Sequence, residues 1–143
     1  YKLSNIRIYI FSCSYLTKLF IKIKSRNLNI KIIENLPKKE LMKYFSKSRI
    51  YIGASISDGL STSAIDAVNS FVFPIQSDSS TLNEILNEPK CIFNLNKKGD
   101  LKIKLINALD DKDIYNKVKK NHSIINKHYN KKYYLMIFKK LYD

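Results

Sequence analysis

Apolar positions along the chain change their period several times, and each change marks a structural element. Ile6, Ile8 and Ile10 alternate with Arg7 and Tyr9 before Phe11, which is the two-residue period of a strand. Leu16, Leu19, Phe20 and Ile23 then recur at helical spacing within 15–26, until Asn27 and Asn29 break the pattern. Ile30, Ile32 and Ile33 predict a second strand. Leu36-Pro37 opens a helix whose apolar face is Leu41, Tyr44 and Phe45, with proline near the first position, where its missing N–H costs nothing. Residues 49–54 predict a third strand, 61–70 a helix, 73–76 a fourth strand, 80–87 a short helix and 91–94 a fifth strand. From about 99 to 142 the pattern is helical, with breaks near Asp110 and 126–130.

Short strands alternating with helices imply right-handed crossovers. The expected class is α/β: a doubly wound, Rossmann-like parallel sheet of about five strands, with helices on both faces and a helical C-terminus. A length of 143 residues with 45% hydrophobic positions fits one core and excludes a disordered chain. Cys13 and Cys91 form no metal-binding pair, so a reducing compartment is expected; both sit at strand ends, where buried, small-hydrophobe roles are expected. No run of apolar residues reaches the ~20 needed to span a bilayer. The chain opens at Tyr1 inside a basic, apolar stretch and reads as part of something longer.

Charge sharpens this picture. The net charge is +14, yet 23 of the 26 basic residues are Lys, a bias that a Lys-, Ile-, Asn- and Tyr-rich composition produces by itself. A nucleic-acid reader leans more on Arg. Residues 1–49 carry a net +10, whereas 50–89 hold no Lys or Arg but include Asp58, Asp66, Asp78, Glu84 and Glu88. That cation-free island calls for an explanation.

Ligands of doubly wound sheets bind beyond the carboxyl ends of the strands. The island begins there, with Ser55-Ile56-Ser57-Asp58-Gly59-Leu60-Ser61-Thr62-Ser63 leading into a helix that carries Asp66. Gly59 permits close approach of a ligand, and Ser61 or Thr62 is a natural N-cap. First-turn amides beside three hydroxyls suit a phosphate. Asp66, one turn after Thr62, shares its face, and carboxylates there accept hydrogen bonds from ribose or sugar hydroxyls. The plainer alternative is a capped helix with two acids favoured by the helix dipole, worth ~0.3–1 kcal/mol each.

The flanks add to this. Glu34-Asn35-Leu36-Pro37, Tyr44, Arg49 to Ser55, Asp58-Gly59 through Asp66-Ala67-Val68, and Phe73-Pro74-Ile75-Gln76-Ser77 occur in the order that resembles group 1 (family 4) glycosyltransferases of GT-B architecture, in their C-terminal donor-binding domain. Asp58 and Asp66 keep that family's two-acid spacing. The resemblance implies ribose binding at Asp66, donor-sugar binding at Asp58 and Gly59, diphosphate binding by Gly59, Leu60, Ser61 and Thr62, and a nucleobase beside Leu36. It implies retaining transfer of a sugar, of the hexosyltransferase type, from a nucleotide-diphosphate sugar to a polysaccharide or lipid-linked acceptor, without cofactor or metal.

It further implies that residues 1–143 form one nucleotide-sugar-binding domain. That domain would lack its first strand and the N-terminal acceptor domain, and the isolated chain would not transfer sugar. No catalytic residue is assigned. Phe71 stands where such domains usually carry Gly and is expected to crowd the helix–strand junction; the second acid is usually Glu rather than Asp66. The expected place is cytoplasmic, with peripheral contact at the inner face of a membrane. For that contact, Tyr129, Tyr133, Tyr134, Ile137, Phe138, Leu141 and Tyr142, interleaved with Lys131, Lys132, Lys139 and Lys140, supply a candidate helix, against docking on a protein core. His122 and His128 are expected at the surface or in packing. The competing class is a non-enzymatic basic module that grips nucleic acid or anionic membrane through Lys, with a steep salt dependence.

Overall fold

The computed structural model describes residues 5–25, 27–57, 59, 61–86, 88–129 and 135. Asp58 and Leu60, and the C-terminal aromatic–Lys segment beyond Tyr129, lie outside the described residues apart from Leu135. Among the described residues the element order is β1 (Arg7–Phe11), α1 (Tyr15–Lys24), β2 (Asn29–Ile33), α2 (Lys38–Phe45), β3 (Ile50–Gly53), α3 (Thr62–Asn69), β4 (Phe73–Ser77), α4 (Leu82–Leu86), β5 (Ile92–Phe93), α5 (Asp100–Asp110) and α6 (Ile114–His128). Every strand pairing is parallel, in one sheet of order β1-β2 and another of order β3-β4-β5. This is the α/β class read from the alternating periods. The chain divides into two compact units, Tyr1–Tyr44 and Phe45–Asp143.

In the first unit, β1 and β2 run in register from Arg7 opposite Asn29 to Phe11 opposite Ile33. α1 starts at Ser14, whose hydroxyl accepts from the Thr17 amide at 3.2 Å. Lys18 of α1 forms an ion pair with Glu34, just past β2. Tyr44 sets its ring edge-on to Tyr9 and Phe11, at centroid distances of 4.9 and 5.7 Å. Cys13 is half-buried, not buried as expected, because it follows the turn at Ser12 and its thiol reaches only the Ser14 carbonyl, at 3.8 Å.

The second unit is built around β4, all five residues of which are buried. A central parallel strand is covered on both faces, so its polar Gln76 and Ser77 are buried along with Phe73, Pro74 and Ile75. Phe73 and Ile75 pack with Cys91, Phe93, Ala108, Ile114 and Val118. Ala64, Val68, Leu82, Leu86 and Ile125 form another cluster, which ties α3 and α4 to α6. Pro74 is tolerated inside β4 because the Phe73 amide already bonds toward β3, at the Arg49 carbonyl. The next amide would face β5, whose pairing begins only at Gln76.

α6 continues without a break to His128 and is capped by the Tyr129 amide on the Ile125 carbonyl, so the break expected from Asn126 starts only at Tyr129. The turn between α5 and α6 is pinned by Asp111, which accepts from the Lys117 ammonium and from the Asp113 amide. Those donors hold its carboxyl below the ordinary range, and the same contact raises Lys117.

Candidate functional site

The segment from β3 to α3 is held from beneath. Gly53 lies opposite Gln76 in the register, and a Cβ on it would come within 2.6 Å of the Gln76 amide nitrogen. Gln76 is itself buried, so a side chain at this place would have to displace its amide. Two residues on, the Ser55 carbonyl accepts from the Ser77 and Ser79 hydroxyls at 2.7 Å each, and those hydroxyls are 2.9 Å from each other. Two protons serve three contacts, so the arrangement is a shared network rather than three separate bonds. Asn83 adds a bond from its side-chain amide to the Ser77 carbonyl at 2.7 Å. The loop that follows β3 is therefore clamped to the turn that follows β4.

α3 begins as the sequence predicts. Ser61 is its N-cap, buried, with its side chain accepting from the Ala64 amide at 3.4 Å, while its carbonyl takes the Ala64 and Ile65 amides at 3.1 Å. The amides of Thr62 and Ser63 remain as first-turn donors at the positive end of the helix. Thr62 is exposed and Asp66 half-buried one turn later. Gly59 is exposed, and among the described residues nothing lies within 4 Å of where its Cβ would be. Space for a ligand against that backbone is thus open.

The far end of α3 corrects one expectation. Phe71 does not crowd the helix–strand junction: it is 50% exposed and stacks on His122 of α6, ring centroids 4.1 Å apart. It occupies the left-handed position after the helix, at φ 59°. There the Phe71 amide bonds the Val68 carbonyl at 2.9 Å, and the Val72 amide bonds the Ala67 carbonyl at 3.0 Å. That pair of bonds closes a helix with a residue that glycine adopts more cheaply. Backbone conformation, not space, is the reason a glycine suits this place. His122 has a packing role, and His128 is exposed.

Beyond the carboxyl ends of β3, β4 and β5 lies a cleft of about 580 Å³ lined by Ile56, Asp78, Ser79, Leu95 and Asn96. A smaller one, of about 320 Å³, is lined by Asp78, Pro89, Ile92, Asn94, Asp100 and Lys104. Gly59, Ser61, Thr62 and Asp66 line neither; Ile56, from the same loop, is the link to the larger cleft. Leu36 belongs to the first unit, half-buried just before α2.

Sequence reasoning missed the cleft residues Asp78, Ser79, Leu95 and Asn96. The available signal was the hydroxyl run Ser77-Asp78-Ser79-Ser80-Thr81 directly after a strand. The island free of cations in sequence is not free of them in space, since Lys104 of α5 reaches the Pro89 carbonyl at 2.8 Å. Among the described residues, no three His, Cys, Asp or Glu side chains converge to hold a metal ion. Cys91 is buried and accepts from Asn121 at 3.7 Å; burial pushes its thiol up to about 12.

A solved structure, the catalytic domain of cholesterol-alpha-glucosyltransferase from Helicobacter pylori, superimposes on this chain with a TM-score of 0.65, covering 86% of this chain and 79% of that one. The chain has a glycosyltransferase fold. Sequence identity over the match is 12%, so the likeness lies in the fold alone. No protein-family model matches the sequence, and no curated protein matches it. Among the described residues no helix is long and apolar enough to cross a membrane.

Proposed function

We propose that this chain is the nucleotide-sugar-binding part of a retaining glycosyltransferase, of the hexosyltransferase type. The observation that carries the reading is the α3 N-terminus: a Ser61-capped helix leaving the carboxyl end of β3, open backbone at Gly59, and a half-buried Asp66 one turn along. In this reading the Gly59–Thr62 amides receive the diphosphate, Asp66 accepts from the ribose hydroxyls, and Asp58 faces the donor sugar. Fixed amide dipoles stabilise charge on a departing diphosphate because they are aimed before the bond breaks. No metal is called on for that role. The acceptor in this reading is a glycan or a lipid-linked glycan, the place is the cytoplasm, and the isolated chain holds donor without transferring it.

Titration calorimetry of the chain with a panel of nucleotide-diphosphate sugars tests this. One member is expected to bind. Asp66→Ala is expected to weaken it by at least tenfold, about 1.4 kcal/mol, with no loss of fold. Asp66→Glu should bind, since it keeps the carboxylate. Equal affinity in wild type and Asp66→Ala contradicts the reading.

A further inference from the structure

α1 turns its apolar side the unusual way. A surface helix normally buries its apolar stripe against its own domain, yet among the ten residues of α1 none is buried. Tyr15 is 77%, Leu16 75% and Phe20 63% exposed, and Leu19 and Ile23 are exposed too. At ~100° per residue these five occupy one arc of about 140°, in the order Tyr15, Leu19, Ile23, Leu16, Phe20. The opposite side holds Ile21 and Lys18, both half-buried, and Lys18 is tied to Glu34 beyond β2. The ion pair thus faces the unit's own sheet, and the apolar arc faces away from it.

The two rims of that arc decide the occupant. Lys22 lies about 20° outside Tyr15, and Lys24 about 40° outside Phe20, so an exposed ammonium flanks the apolar face on each side. The helix has no acidic residue, and residues 1–49 carry a net +10. Lysine stems of this kind lie along an apolar layer while the charged heads stay in a polar one. Aromatic and aliphatic groups at the centre, lysines at both rims and no acid match the boundary between acyl chains and anionic headgroups. A protein partner of matching shape would have to offer acids at both rims and an apolar strip between them; an anionic bilayer offers both along its whole surface.

We propose that α1 is a membrane-surface helix that seats Tyr15, Leu16, Leu19, Phe20 and Ile23 in the headgroup boundary of an anionic bilayer, with Lys22 and Lys24 on the lipid phosphates. This does not depend on donor binding, and its test reads no nucleotide. Flotation of the full chain with vesicles containing phosphatidylglycerol should recover it, and neutral phosphatidylcholine vesicles should recover much less. The double variant Leu19→Glu, Phe20→Glu should lose more than about tenfold of the anionic-vesicle binding. Its circular dichroism and melting should stay as in wild type, because both side chains are already exposed. Lys22→Gln with Lys24→Gln should weaken binding less and flatten its salt dependence. Undiminished flotation of the Leu19/Phe20 variant would overturn the proposal, since lysines elsewhere would then carry the binding. So would absence of flotation in wild type, or a wild-type dimer that the same variant dissociates, which would make a second copy the occupant.

Discussion

The two units invest their apolar residues differently. In the second, large side chains such as Phe73, Ile75, Leu82 and Ile125 are wholly enclosed, and residues of α3, α4, α5 and α6 make up two core clusters around a strand buried on both faces. In the first, Ile33 is the only hydrophobic residue among the described ones that is buried, and its more apolar helix shows its stripe to solvent. Similar elements, a parallel pair with a crossover helix, thus give a self-sufficient core in one case and an open face in the other. Periodicity dictates that apolar residues share a side. Which way that side points depends on what is there to cover it.

The largest contrast is available by paired truncation. Phe73→Ala is expected to cost about 3–5 kcal/mol and Phe20→Ala less than about 0.5 kcal/mol, read by denaturant unfolding. Comparable losses would show that α1 is packed and would erase the contrast. Next in size is Gly53→Ala, which pushes a methyl into the buried Gln76 amide and should cost about 1–3 kcal/mol. Gly53→Ala with Gln76→Ala should recover part of that loss, a test that the clash is the cause.

Phe71→Gly has the opposite sign. Relief of the left-handed backbone is worth about 1 kcal/mol, against loss of the His122 stack, so the melting point should hold or rise slightly. A clear fall would mean that the stack outweighs the strain. Least of all, Asp111→Asn should lower stability at neutral pH and remove part of its pH dependence. The Asp111 carboxyl is depressed by Lys117, so its contribution is present above the unfolded carboxylate pKa and is lost as pH falls through the folded value. The variant and the wild type should therefore converge in acid.

Much of this was legible. The strands, the crossover helices, the Ser61 cap and the place of Asp66 followed from period, turn residues and hydroxyls next to a helix start, all of them local signals. Phe71 was singled out for the right position but the wrong reason, because a missing glycine announces a backbone demand and a steric one alike. The Ser77–Ser79–Ser55 clamp and the cleft beyond it join residues more than twenty apart, which no local pattern encodes. Cys13 was expected to be buried because it follows a strand, yet burial there depends on a neighbour that the strand itself does not supply. The outward face of α1 was invisible for the same reason.

Amide chemical-shift mapping of the chain, titrated with the nucleotide-diphosphate sugar that binds it, tests the central claim most directly. The account predicts that the largest shifts fall on Gly59, Thr62, Ser63 and Asp66. Shifts confined to Asp78, Leu95 and Asn96, or spread over the lysine-rich helices without a maximum at α3, would contradict it.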